Sequence, residues 1–258
     1  MTRTYVDVSR EGPLTILTIN RPEAHNALNA ESHLELQAVF DDFAADDAQW
    51  VAIITGAGSR AFCAGHDLKQ QAAGGGLDLP AKGFAGLTSR FDLAKPVIAA
   101  VNGVAMGGGF EIALACDLVI AASNAVFALP EPRVGLAALG GGIQRLPRAI
   151  GFHRAMELML TGRRVTAAEG LALGFVNEVV EGDVLDAARC WAATILEGSP
   201  MSVRATKEAA LRGLDTPLAD GIREQFSYPA MQAMLASQDA VEGPAAFAAK
   251  RLPQWKGR

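Results

Sequence analysis

Cysteine is scarce. Cys63, Cys116 and Cys190 stand far apart in 258 residues, odd in number and with no CxxC pair. This spacing excludes a disulfide framework or a zinc ribbon and reads as three reduced thiols in a cytoplasmic protein. Basic residues do not dominate either. A formal net charge of −5 argues against nucleic acid or an anionic membrane surface as the main partner, and leaves only local basic patches for an anionic ligand. No apolar run is long and uninterrupted enough to cross a bilayer, because the richest ones carry glycines, Asn102, Glu111 and Asp117. The opening MTRTYVDVSR alternates like a strand and has no apolar h-region, so no signal peptide is expected. His25, His33, His66 and His153 lack metal-ligand spacing, so each reads as a surface or core histidine and no metal site is expected. Walker, HExxH and GxSxG sequences are also missing.

What remains is an ordinary globular composition, half hydrophobic and a fifth charged, with 27 glycines. The stretch PVIAAVNGVAMGGGFEIALACD, from Pro96 to Asp117, organises the rest. Val97–Val101 has the length and composition of a buried strand, Asn102-Gly103 breaks it, and Gly107-Gly108-Gly109 leads into a helix-forming run. Three glycines fill no space, so something must approach the backbone closely there. A helix start presents unpaired N–H groups and favours negative charge, and Glu111 sits in that first turn. Two readings follow: an oxyanion site with an acid or base beside it, or tight helix–strand packing with Glu111 compensating the dipole.

Residues 4–10 and 14–20 read as a hairpin around Glu11-Gly12-Pro13. A helix follows from about 31 to 45, capped by Asn29, with Leu36, Val39 or Phe40, and Phe43 on its apolar stripe. Residues 50–55 form a buried strand, 56–69 a glycine-rich turn opening a short helix at His66-Asp67-Leu68, and 71–87 a mobile loop. Strands are expected at 118–122 and 175–180, a short extended piece at 126–130, and helices after Gly140-Gly141-Gly142, at 156–160, and after the Thr166…Glu169 capping box. Beyond Asp183 four helices follow, at 183–197, 200–213, 217–236 and 239–250, with a boundary near Ser199-Pro200. The recurring strand–turn–helix units imply a stacked α/β architecture.

Gly56-Ala57-Gly58-Ser59-Arg60-Ala61 fits the permissive dinucleotide pattern, but Phe62-Cys63-Ala64-Gly65 interrupts the long helix that a pyrophosphate site requires. The carboxylates are better placed. Glu111 follows one glycine turn, and Glu131 lies between Pro130 and Pro132, which fix its backbone. Each alone would be a solvated surface residue; together with two glycine turns they outline a thioester-sized site.

At these residues the chain resembles the enoyl-CoA hydratase/isomerase (crotonase) family along essentially its whole length. The matching segments are Asn20-Arg21-Pro22 with Asn26-Ala27-Leu28, Ala64-Gly65-His66-Asp67-Leu68, NGVAMGGGFE, Leu129-Pro130-Glu131, Gly141-Gly142 with Gln144-Arg145-Leu146, and Leu160-Thr161-Gly162. Residues 83–88, residues 127–131 and the tail from Glu242-Gly243-Pro244 to Arg258 resemble the carnitinyl-CoA dehydratase branch. The resemblance implies a crotonase-like α/β fold, a superhelix of stacked ββα turns over residues 1–198. Residues 199–258 would form a C-terminal helical oligomerisation region, giving a homotrimer or a hexamer that is a dimer of trimers. It places the oxyanion hole at the backbone N–H groups of His66 and Gly108, and the catalytic carboxylates at Glu111 and Glu131. Ala64, Gly65, His66, Asp67, Leu68 and Lys69 would line the coenzyme A path together with Gly108. Phe247 and Lys250 would meet the CoA nucleotide, commonly across a subunit contact. Coenzyme A would enter as part of the substrate, with no tightly bound cofactor. One departure stands out: Ala138-Leu139 replaces the Pro-Gly or Pro-Asp of relatives, adding an apolar side chain near the expected water. The rival activities are a Δ3,Δ2-enoyl-CoA isomerase working with Glu131 alone, and a CoA-binding member without turnover.

Overall fold

A computed structural model describes residues 3–72 and 79–258. The strands run in chain order as β1 (Val6–Glu11), β2 (Leu14–Ile19), β3 (Val51–Gly56), β4 (Ala61–Cys63) and β5 (Val97–Val101). They continue as β6 (Val104–Met106), β7 (Leu118–Ala122), β8 (Val126–Ala128), β9 (Val165–Thr166) and β10 (Glu178–Val180). One sheet has the order β1-β2-β3-β5-β7-β10 and is parallel except for the β1–β2 hairpin. The smaller sheet has the order β4-β6-β8-β9, parallel except for β9.

The repeat is a strand in the large sheet, a sharp corner, and a short strand in the small sheet: β3 to β4, β5 to β6, β7 to β8. Asn102 ties adjacent corners together, its amide donating to the carbonyls of Gly56 and Gly58 at 2.8 and 2.7 Å. Gly103 packs on the same preceding corner, where a Cβ would meet the Arg60 carbonyl oxygen at 2.5 Å. The short strands β4 and β6 were not legible as strands in the sequence, since three residues carry too little periodicity. The dinucleotide reading ends here as well, because β4 rather than a helix follows Gly56–Arg60.

Alternation divides the large sheet's side chains between two cores. Ile53, Ile98 and Ile120 face the helix Val184–Leu196 through Val184, Ala188 and Ala192. Ile54, Ala99 and Ala121 face the main core with Phe110, Phe127 and Phe175. The helix Ala30–Ala45 buries Leu36, Val39, Phe40 and Phe43, and its cap is reciprocal: Asn29 Oδ1 accepts from Ser32 N–H, and Asn29 N–H donates to Ser32 Oγ.

Several expectations shift. The short helix spans Leu68–Ala72, with His66 instead bridging to Leu28. The 156–160 helix is Phe152–Thr161, separated from Gly142–Ile150 by Gly151. Thr166 caps the helix Ala167–Leu173, but Glu169 pairs with Arg163 instead of completing the box. The strand expected at 175–180 shortens to β10, because Phe175 turns inward against Phe110 and Phe127. The helix expected over 217–236 breaks into Leu218–Glu224 and Pro229–Leu235. Pro229 cannot donate a helical hydrogen bond and holds Tyr228 extended. Of the loop expected over 71–87, residues 73–78 lie outside the described residues, while Phe84–Gly86 form a buried turn.

Candidate active site

Two glycine-rich turns meet at the start of the helix Gly108–Ala115. Gly65 has φ +92°, and a Cβ there would come within 2.7 Å of the Met106 carbonyl oxygen and 3.1 Å of the Gly108 nitrogen. The His66 and Gly108 backbones are therefore neighbours. Around His66, Leu28 N–H donates to Gly65 O and Asp67 N–H donates to Leu28 O, and among the described residues the His66 N–H between them has no acceptor. Gly108 opens its helix, so its N–H has no intrahelical partner. Gly107, with φ +53°, turns the chain into that helix.

The glycines at 108 and 109 have a packing reason. A Cβ on Gly108 would overlap the Phe84 ring, and one on Gly109 would overlap the Cys63 carbonyl. Packing therefore requires glycine at 108 and 109, and the same turn brings the Gly108 nitrogen close to the Gly65–His66 backbone.

Glu111 follows in the same first turn and is only 4% exposed. Its Oε1 accepts from Gly142 N–H at 2.9 Å, and Gly140 lies so close that a Cβ would sit 2.5 Å from Oε2. Burial raises its pKa and the Glu131 charge adds to the rise, while the Gly142 and Gly140 amides partly offset it, leaving the group at about 7. Glu131 begins a 3-10 turn over Glu131–Val134. Its Oε1 would stand 2.9 Å from a Cβ on Gly107, while Oε2 is buried with no hydrogen-bond partner among the described residues. Burial raises the Glu131 pKa too. Two desolvated carboxylates beside the His66 and Gly108 backbone are an arrangement with the chemistry to move protons next to a developing negative oxygen.

The whole chain compares with known proteins along its length. Residues 10–258 match the model of the family described as enoyl-CoA hydratase/isomerase. The chain belongs to that family. It is 46% identical to a carnitinyl-CoA dehydratase of Citrobacter koseri over 258 residues, covering 97% of each chain. The crystal structure of an enoyl-CoA hydratase from Mycobacterium tuberculosis superposes with a TM-score of 0.92 at 41% identity, covering 98% of this chain and 99% of that one. The crystal structure of a carnitinyl-CoA hydratase from Mycobacterium avium is 42% identical over 100% of both chains, with a TM-score of 0.79.

The remaining expected site residues fall in two places. Ala64–Lys69 run along one turn, fixed by Ala64 N–H to His25 O at 3.0 Å and by an Arg21–Asp67 ion pair at 3.2 Å; Leu68 and Lys69 are exposed. Phe247 and Lys250 lie at the end of the last helix, Gln238–Ala248, exposed, and no hydrogen bond or ion pair among the described residues joins them to 64–69. That helix is anchored instead through Asp239, which accepts from Ser199 Oγ at 2.8 Å and Lys256 N–H at 2.7 Å.

Leu139 is 72% exposed and borders a cavity of about 640 Å³ with Gly140, Arg145 and Leu214, and Gly140 is also the residue packed against Glu111. Of Phe84, Phe110 and Phe127, the last two are buried against Phe175, and Phe84 is the one packed on Gly108. The sequence reading missed the contributions of Gly140 and Gly142 to Glu111 and of His33 behind Phe84. A helix start at Gly140–Gly142 was visible, but nothing local in it says which carboxylate its amides will meet.

Proposed function

We propose that the protein is a hydro-lyase that adds or removes water across the 2,3 double bond of an acyl-CoA thioester. The observation that carries this reading is the pairing of Glu111 and Glu131, both desolvated, around the turn that offers the His66 and Gly108 N–H groups. Water adds to an enoyl thioester only if the resulting enolate charge is held. Two fixed amides do this, each typically worth roughly 3–4 kcal/mol in the transition state. Glu111, held by Gly142, takes the proton from water, and Glu131 delivers one to the α-carbon. In dehydration the roles reverse. An isomerase needs only Glu131, so retention of a buried Glu111 favours hydration.

On the same reading, residues 64–69 and Gly108 line the thioester and pantetheine, and no resident cofactor is needed. Phe247 and Lys250 meet the CoA nucleotide of a neighbouring subunit, which accounts for their exposure here. Residues 199–258 assemble the protein as a homotrimer or a dimer of trimers, in the cytoplasm. The acyl group follows the carnitinyl relatives as crotonobetainyl-CoA, although the buried positions of Phe110 and Phe127 leave only Phe84 as an aromatic face near the site. The test is a hydration assay over a panel of 2-enoyl-CoA thioesters, with 3-enoyl-CoA as the isomerase control. Water addition to crotonyl- or crotonobetainyl-CoA supports the reading; isomerisation alone, or tight CoA binding without turnover, overturns it. A hundredfold preference for an uncharged ester over crotonobetainyl-CoA removes the carnitine assignment and leaves the hydratase one.

A further inference from the structure

The turn that carries Phe84 is held by an atom that the proposed chemistry does not use. Gly83, Ala85 and Gly86 all have positive φ, at 77°, 56° and 62°. For glycine this is free; for Ala85 it costs about 1–2 kcal/mol, so neighbours must hold it. They come from the helix Ala30–Ala45. Ala85 N–H donates to His33 Nδ1 at 3.0 Å, and Gly86 lies so close to Gln37 that a Cβ would overlap its backbone.

His33 is 1% exposed, and burial lowers its pKa to about 4, with the neighbouring His66 adding to the effect. The ring is therefore neutral, and because Nδ1 accepts, its proton sits on Nε2. The ring meets Phe84 edge-on with centroids 4.4 Å apart, and lies nearly parallel to the His66 ring at 6.1 Å. Phe84 in turn covers Gly108. One imidazole thus stands behind both residues assigned to the oxyanion hole.

We propose that His33 is a positioning residue for this hole: through Ala85 it locks the Phe84 turn, and the Phe84 ring sets the plane of the Gly107–Gly108 peptide and the direction of the Gly108 N–H. This rests on the hydratase reading. His33 touches no reacting atom, so its effect belongs in kcat rather than in CoA-ester binding.

The test uses three variants and two readouts. His33→Asn keeps an acceptor at the place of Nδ1, His33→Gln carries its amide out to the place of Nε2, and His33→Leu keeps neither. The readouts are steady-state hydration and the red shift of a bound arylacryloyl-CoA chromophore, which reports how strongly the amides polarise the thioester carbonyl. A misplacement of about 1 Å costs on the order of 10²-fold. His33→Asn should retain the red shift and kcat within about threefold, while His33→Gln and His33→Leu lose about 10- to 100-fold in kcat and part of the shift, with KM nearly constant. Phe84→Leu should reproduce His33→Leu. If His33→Leu does not fold, the contrast between Asn and Gln decides alone. Equal behaviour of Asn and Gln, or an undiminished shift and kcat in both Gln and Leu, overturns the role of His33. A wild-type protein that binds the chromophore with no shift overturns the oxyanion assignment itself.

Discussion

Glu111→Gln should make the folded protein more stable at pH 8 while abolishing its chemistry. The folded-state pKa is raised, to about 7 from an ordinary 4.5, with burial as the main cause. The native state therefore holds the proton over a range where the unfolded chain has already lost it. Native stability falls as pH rises from about 4.5 to about 7, and the full penalty is present above that. At about 1.4 kcal/mol per tenfold change in proton affinity, the carboxylate costs about 3 kcal/mol at pH 8 and a few tenths at pH 4. Glutamine is uncharged at both, and its side-chain oxygen still accepts from Gly142 N–H. Urea unfolding of both proteins at fixed protomer concentration, from pH 4 to pH 9, gives the difference directly. The gap should open with pH and level off near pH 8. A gap that is flat, or that favours the wild type at pH 8, would mean that Glu111 is solvated and that its role as a tuned base has no physical basis.

Both Glu111→Gln and Glu131→Gln should lower hydration kcat by about 10²–10⁴-fold with little change in KM, since each removes a proton-transfer group; near-wild-type kcat in either removes that residue from the mechanism. The acid limb of the hydration profile should lie near pH 7, where Glu111 takes up its proton, and an acid limb near pH 4.5 would contradict the burial argument. Gly108→Val should abolish turnover in a folded protein, because a side chain there overlaps Phe84, whereas His66→Ala should be mild if His66 acts through its N–H. Light scattering should report a trimer or hexamer; a stable, active monomer at micromolar concentration counts against assembly through residues 199–258.

The longer elements were legible because their patterns are long. The β1–β2 hairpin, the helix Ala30–Ala45 with its Asn29 cap, and strands β3, β5 and β7 all sit within a residue or two of expectation. The small sheet was not, because β4, β6 and β8 are three residues each and gain their identity from pairing across the chain. The extended piece at 126–130 was anticipated without its sheet. Site residues divide in the same way. Glu111 and Gly108 announce themselves through a local glycine–helix–acid pattern, but the Gly142 amide on Glu111 and the Phe84 ring on Gly108 come from 31 and 24 residues away respectively. No spacing rule reaches across such loops.

Leu139 and Gly140 are adjacent in sequence but meet different surroundings, one largely exposed and the other against Glu111. In sequence, an apolar residue one position before Gly140 looks like an intrusion on the water that Glu111 would activate. In the fold, the Gly140 and Gly142 amides face Glu111, while the Leu139 side chain is largely exposed on a cavity that Gly140 also borders. A substitution at 139 therefore alters an exposed side chain at that cavity, and one at 140 presses directly on the carboxylate. Leu139→Gly should leave hydration kcat within about threefold, in line with a surface change away from the chemistry. Gly140→Ala, whose Cβ would stand 2.5 Å from Glu111 Oε2, should displace the carboxylate and lower kcat by about tenfold or more. If the two variants behaved in the opposite order, the glycine turn would be mere packing and the water would lie on the Leu139 side.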